Sequence, residues 1–274
     1  MVEFALNHMT APGLSVEAFF ELAARLGVSA VEIRNDLPGV ALADGTAASE
    51  VGSLASAKAL RILSINALQR FNEWTPARAV EAKALCEQAR AAGAEALVLC
   101  PVNEEGFWTD DASRLQALRD ALAALAPILE AAGLVGLVEP LGFAECSLRL
   151  KSEAVAAIDA VGQRDRFKLV HDTFHHFVAG ETALFPERTG LVHISGVEDR
   201  AVPRETMRDP HRVLVGADDR LDNLGQIRAL EKGGYRGPLS FEPFAPSVAG
   251  SRDIEGDLSA SMRFVADGLT SKAA

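Results

Sequence analysis

The chain predicts a (β/α)8 TIM barrel, an α/β fold, on three observations. Short β-rich runs recur eight times along its 274 residues, longer Ala/Leu-rich helical segments separate them, and no linker or break in composition divides the chain. A doubly wound open sheet is the lesser alternative that the same alternation allows. With 49% hydrophobic residues the chain can bury one large core, so a single domain spanning 1–274 is expected.

The elements read off in order. A first strand is expected at 3–7, and Ser15 can cap a helix over 16–26 that ends at Gly27. Strands follow at 30–34 and 61–67. Thr75-Pro76 then opens a helix running to Gly93, because proline is pre-set for a first helical turn and glycine takes the left-handed closing position. The fourth strand, 96–100, precedes a helix from Asp110 to Ala132 that Gly133 closes. Strands at 134–139, 167–172, 191–195 and 239–242 complete the eight, with helices over 151–161 and 223–232. Between 198 and 222 the chain carries Pro203, Pro210 and Gly216 with little apolar periodicity. A long connection is expected there, either a lid over the barrel mouth or a plain surface loop.

Charge and composition remove whole classes of function. A net charge of −11 repels the phosphate backbone, so no nucleic-acid partner is expected. The N-terminal M-V-E-F-A-L-N-H lacks a basic leader, and no run approaches the ~18 apolar residues of a membrane span. The expectation is a cytoplasmic protein with no membrane partner. Cys86, Cys100 and Cys146 are scattered without metal-ligand spacing and read as buried spectator thiols.

Polar residues inside the strands carry the functional signal. Strands of a parallel barrel are covered on both faces and should be nearly all apolar, so a polar strand end needs a reason. Glu32 and Arg34 share one face of the second strand, and Ser64 and Asn66 one face of the third. The fifth to eighth strands end in Glu139, Asp172, His193 and Glu242. Barrel active sites are built at the C-terminal ends of the strands, so these four would meet over the mouth. Three carboxylates and one imidazole form an oxygen-dominated donor set suited to one divalent ion, Mn²⁺ first, with Mg²⁺, Co²⁺ or Zn²⁺ also acceptable. Such an ion can polarise an α-hydroxyketone toward an enediolate. Arg34, Asn66 and Arg212 are candidates for orienting substrate hydroxyls; alternatively Arg34 pairs with Glu32 and Arg212 is a solvated loop charge.

The remaining landmarks divide the same way. In L-V-H-D-T-F-H-H, 169–176, His171 has opposite parity to Asp172 and is expected to face the helix layer as a structural histidine, with His176 in a loop or at the rim. His8 either lines the pocket or simply ends its strand. Trp74 and Trp108 either wall the pocket or pack between loop and helix.

Several segments carry a family resemblance: V-E-I-R at 31–34, I-N-A-L-Q-R-F-N at 65–72, V-E-P-L-G-F-A-E-C-S at 138–147, L-V-H-D-T-F-H at 169–175, H-I-S-G-V-E-D at 193–199, H-R-V-L-V-G at 211–216 and G-Y-R-G-P-L-S-F-E-P-F at 234–244. Together they resemble the xylose-isomerase-like TIM barrels, a superfamily of sugar isomerases and epimerases, and most closely its inosose (2-keto-myo-inositol) isomerase branch. The resemblance implies that Glu139, Asp172, His193 and Glu242 bind the metal, that Glu139 and Glu242 are also the catalytic acid/base pair, and that His175 touches the substrate. It implies a small-molecule sugar or cyclitol substrate and an isomerase, with ketose 3-epimerase, hydroxypyruvate isomerase and inosose dehydratase as alternatives. Two departures stand out. The family's Pro-Gly-x-Gly turn near Arg212 is replaced by Val215-Gly216-Ala217-Asp218, and Ile194-Ser195-Gly196 replaces an Ile-Asp-Asp type segment, which looks closer to hydroxypyruvate isomerases. A non-catalytic sugar or metal binder stays open on the residues alone. A DNA-repair endonuclease of the superfamily would need more strand-end histidines and a basic groove.

Overall fold

The computed structural model describes residues 2–271, apart from 38, 40, 41, 43 and 109. The end residues 1 and 272–274 of the expected domain therefore lie outside the described residues. Eight parallel strands close into a barrel in sequence order. They are β1 (Phe4–Asn7), β2 (Ala30–Arg34), β3 (Arg61–Leu68), β4 (Ala96–Leu99), β5 (Val135–Val138), β6 (Phe167–Asp172), β7 (Thr189–Ile194) and β8 (Leu239–Phe241). The helices are α1 (Val16–Arg25), α2 (Ala48–Ala57), α3 (Pro76–Ala92), α4 (Asp111–Ala132), α5 (Lys151–Ala160), α6 (Thr173–Ala179), α7 (Asn223–Lys232), α8 (Pro246–Ala249) and α9 (Ile254–Thr270). None of those described is long and apolar enough to cross a membrane.

Local chemistry sets the ends. Ser15 accepts from the Ala18 amide at the start of α1, Thr75 from Arg78 before Pro76 of α3, and Asp110 from Ser113 before α4. Gly93 and Gly133 close α3 and α4 at φ near +72° and +71°, the left-handed region that side chains resist. Helix α2 has no side-chain cap and an Ala/Ser/Gly-rich sequence, which is why only the barrel rhythm, and no local signal, announces it. Helix α6 begins directly at the end of β6. Asp172 is both the last strand residue and the N-cap, its Oδ1 accepting from the Phe174 and His175 amides at 2.7 and 3.0 Å.

Three apolar layers hold the barrel. The largest, between strands and helices, includes Phe19, Phe20, Ile65, Leu125, Phe167 and Phe241, all fully buried. A second fills the lower barrel interior with small and branched residues such as Ala5, Ala30, Ala96, Val98 and Val170. A third sits over the mouth, where Phe143, Phe174, Val178, Val197, Met207 and Leu221 pack together. This upper cluster pins down the connection from β7 to α7. Far from being shapeless, that segment holds 3-10 turns at Arg204–Thr206 and Asp209–His211 and a bridge between Gly196 and Val213.

Candidate metal centre at the barrel mouth

The strand register brings the polar ends to one depth. Asn7 sits beside Glu32, Arg34 beside Asn66, Asp172 beside His193, and His193 beside Ser240. One ligand atom from each of Glu139, Asp172, His193 and Glu242 lies within 4.8 Å of the others, and all four residues are buried. His193 Nδ1 is at the centre of this group, 3.0 Å from Glu139 Oε1, 3.2 Å from Glu242 Oε2 and 3.9 Å from Asp172 Oδ2. The spacing and donor types fit one divalent cation, and the cation would relieve the repulsion among three carboxylates.

Two arginines complete the charge balance. Arg212 Nη2 lies 2.6 Å from Asp172 Oδ2 and 3.0 Å from Glu242 Oε2, while its Nε donates to Ser195 Oγ at 3.1 Å. Only 1% exposed, it is no solvated loop charge. Its guanidinium lies over the faces of Phe174 and Phe244, at 5.1 and 4.6 Å from the ring centroids. Arg34 does not pair with Glu32 either. It binds Asp36 with both Nε and Nη2 at 2.7 Å and reaches Glu242 Oε1 with Nη1 at 2.8 Å. Burial alone would raise the Glu242 carboxyl, but His193, Arg212 and Arg34 outweigh it and hold the group well below the ordinary carboxylate range. Burial would likewise lower His193, yet Glu242, Glu32 and Glu139 raise it well above the ordinary histidine value.

Above these groups opens a cavity of about 430 Å³ lined by Arg34, Asn66, Glu139, His175, Arg212 and Glu242, with Phe143 and Phe244 as its aromatic walls. Asn66 points its amide to Glu32 at 2.8 Å and to Ser64 at 3.1 Å. His175 accepts at Nδ1 from the Gly142 amide at 3.3 Å. That contact needs glycine: a Cβ at position 142 would strike the His175 carbonyl oxygen. Also in the wall are groups the sequence did not assign to the site. Asp36 neutralises Arg34, Asp209 reaches Arg212 at 3.3 Å, and the Cys100 thiol donates to Glu139 Oε2 at 3.6 Å. Cys100 is thus buried, as expected, but within the site.

Other expected residues lie elsewhere. His8 turns outward, stacked on Phe19 with 4.3 Å between centroids and bonded to the Leu14 carbonyl at 2.9 Å. His171 faces the helix layer, and His176 belongs to α6 rather than a loop, its Nδ1 2.8 Å from Lys151 Nζ. Trp74 packs against the main core, and Trp108 lines a separate cleft between the β4–α4 and β5–α5 connections.

Comparison with known proteins agrees with this architecture. The sequence has no significant match among curated proteins. A xylose isomerase domain-containing protein from Salmonella typhimurium LT2 is 35% identical and superposes with a TM-score of 0.88, over 98% of each chain. The IolI protein, solved with a bound zinc atom, shares 22% identity over 98% of each chain at a TM-score of 0.83. D-psicose 3-epimerase from Clostridium cellulolyticum H10, solved with D-tagatose, shares 16% over 98% of this chain and 99% of the other, at 0.74. These last two share the fold. A family profile described as xylose isomerase-like TIM barrel matches residues 20–267. With that match and the 35% identical structure spanning nearly its whole length, the chain belongs to the xylose isomerase-like TIM barrel family.

Proposed function

We propose that the protein is a divalent-metal-dependent isomerase of a sugar or cyclitol α-hydroxyketone, of the inosose type, acting through an enediolate. The observation that carries this reading is the convergence of Glu139, Asp172, His193 and Glu242 within 4.8 Å beneath a polar cavity. A bound cation, Mn²⁺ by preference for this donor set, supplies Lewis acidity toward a carbonyl and its neighbouring hydroxyl. The chain's own groups do the rest. Glu242, kept ionised by His193, Arg212 and Arg34, lines the cavity and is the carboxylate assigned to take a proton from carbon. Glu139 faces the same space without an arginine partner among its described contacts, and with His193 and the Cys100 thiol beside it, and is placed to return the proton. His175, Asn66, Arg34 and Arg212 line the cavity where hydroxyls must be oriented. The 198–222 connection, anchored by Met207, Arg212 and Leu221, covers the mouth and limits water around the enediolate.

One observation favours a smaller substrate. Ser195, in the Ile-Ser-Gly segment, spends its hydroxyl on Arg212 and brings no carboxylate to the rim, which suits hydroxypyruvate as well as a cyclitol. Proton NMR in D₂O tests both, with Mn²⁺-loaded protein and 2-keto-myo-inositol, hydroxypyruvate or a panel of ketohexoses. Metal-dependent deuterium uptake beside the carbonyl is expected, falling by roughly 10²–10⁴-fold in Glu242→Gln. The product spectrum separates isomerisation from 3-epimerisation and dehydration. No exchange with any substrate, in protein that binds one ion per chain, would replace the enzyme reading with that of a binder.

A further inference from the structure

We propose that Glu32 is a positioning residue for this centre: its carboxylate accepts a hydrogen bond from the Nε2–H of His193 and so turns the Nδ1 lone pair toward Glu139, Asp172 and Glu242. The inference rests on the metal-dependent reading and adds a residue that stands behind the ligand set, on the far side of the barrel interior.

The geometry is specific. Strand β2 and strand β7 are not neighbours in the barrel, so the contact spans its interior. His193 Nε2 lies 3.1 Å from Glu32 Oε1 and 3.2 Å from Oε2, with both side chains fully buried. Carboxylate oxygens only accept, and both ring nitrogens face carboxylates; with a cation held on the Nδ1 side, Nε2, which faces Glu32 alone, carries the ring's proton and Nδ1 offers its lone pair. A histidine ligand whose second nitrogen is committed to a carboxylate has a fixed tautomer and orientation and a more basic donor atom.

The carboxylate is itself held. Ser240 donates to Oε1 at 2.5 Å, and Ser64 and Asn66 donate to Oε2 at 2.6 and 2.8 Å, from β8 and β3. A parallel barrel normally fills this depth with branched apolar residues, and a buried carboxylate without a cation is strongly unfavourable. Arg34, on the same face of β2, turns to Asp36 and Glu242. Among the described contacts of Glu32, His193 alone can carry compensating positive charge, either protonated or as a metal-bound ring. A carboxylate kept there by three neutral donors and aimed at one imidazole makes sense as the support of that imidazole.

The test uses full-length protein stripped of metal and titrated with Zn²⁺ by calorimetry, in the wild type, Glu32→Gln, Ser240→Ala and His193→Ala. The zinc-loaded, ¹⁵N-histidine-labelled proteins are then compared by NMR, where zinc causes no paramagnetic loss. The expected result is a Kd raised about 10- to 100-fold in Glu32→Gln, and raised less in Ser240→Ala. The His193 Nε2–H signal, assigned by its absence in His193→Ala, is expected downfield in the wild type and moved upfield or lost to water exchange in Glu32→Gln. An unchanged Kd and an unchanged signal in Glu32→Gln would overturn the proposal while leaving the metal reading intact. Should Glu32→Gln fail to fold, Ser240→Ala decides on the same two readouts. Wild-type protein that binds no zinc, or His193→Ala that binds it as tightly, would remove the metal reading and this proposal with it.

Discussion

On the inner side of β6, Asp172 joins His193, two glutamates and two arginines beneath an open cavity; on its outer side, one residue earlier, His171 joins Lys151, His176 and Gln226 among the helices. Both clusters are buried. Their histidines are nevertheless driven in opposite directions, His193 well above and His171 well below the ordinary value. Burial acts alike on the two rings, so the difference comes from their partners. Four carboxylates surround His193, those of Glu32, Glu139, Glu242 and, farthest, Asp172. His171 instead meets the Lys151 amine, 2.8 Å from its Nδ1, and donates from Nε2–H to Gln226 Oε1 at 2.9 Å. Gln226 in turn donates to the Thr173 and Leu221 carbonyls, so the outer chain of donors and acceptors closes on itself. Surplus acceptors make a candidate cation site; matched donors and acceptors make a rivet.

The hardest blow to this contrast compares His193→Ala with His171→Ala. Zinc affinity, by calorimetry, is expected to fall more than about a hundredfold in the first and to stay within a few-fold in the second. Chemical denaturation should show the second losing about 2–4 kcal/mol of stability instead. Equal loss of zinc in both would abolish the distinction.

Lys151 offers a measure in pH. Burial lowers its pKa from 10.5 to about 7, so as pH falls the unfolded chain takes up this proton before the folded one does. The penalty is absent above the unfolded value, grows as pH falls toward about 7, and is complete below that. Native stability should therefore gain at most about 1.4 kcal/mol per pH unit from this group across that window. Urea melts at successive pH values should show Lys151→Met losing that slope.

Gln226→Leu leaves His171 Nε2 without its acceptor, and thermal or urea unfolding is expected to show a cost of about 1–3 kcal/mol with zinc binding unaltered. The smallest effect belongs to the inner cluster. His193 has a raised pKa and must release a proton to bind metal, so zinc affinity should rise with pH by about tenfold per unit for one displaced proton. A flat profile would mean that the ring does not compete with the ion.

Glu139, Asp172, His193 and Glu242 could be picked out as one group because polar ends stand out on strands that are otherwise apolar, and strand order alone places them side by side. The outward face of His171 followed from parity. Arg212 was left between orienting a substrate hydroxyl and being a solvated charge, since its segment has no periodicity and is ordered by its own Met207 packing with Phe143 of the β5–α5 connection and Phe174 of α6. Asp36 and Cys100 escaped for a related reason: each acquires its meaning from a residue on another strand or helix, Glu242 through Arg34 in one case and Glu139 in the other. His176 was misplaced because nothing in the sequence shows that Asp172 starts a helix without an intervening loop.

That absent loop has a consequence for how such a chain can diversify. Asp172 spends one oxygen on the first turn of α6 and keeps the other for Arg212 and the cation site, so the β6–α6 junction tolerates neither insertion nor deletion without rotating a proposed ligand away. The β7–α7 connection has no such constraint except at the few side chains that anchor it. Lengthening or replacing its stretches on either side of Arg212, whose guanidinium must stay on Asp172 and Glu242, would change what the mouth admits while the centre beneath stays in place. New substrate ranges should therefore be sought by grafting segments between positions 198 and 222, and a shift in the residue that follows Asp172 should be read as loss of the centre rather than as adaptation.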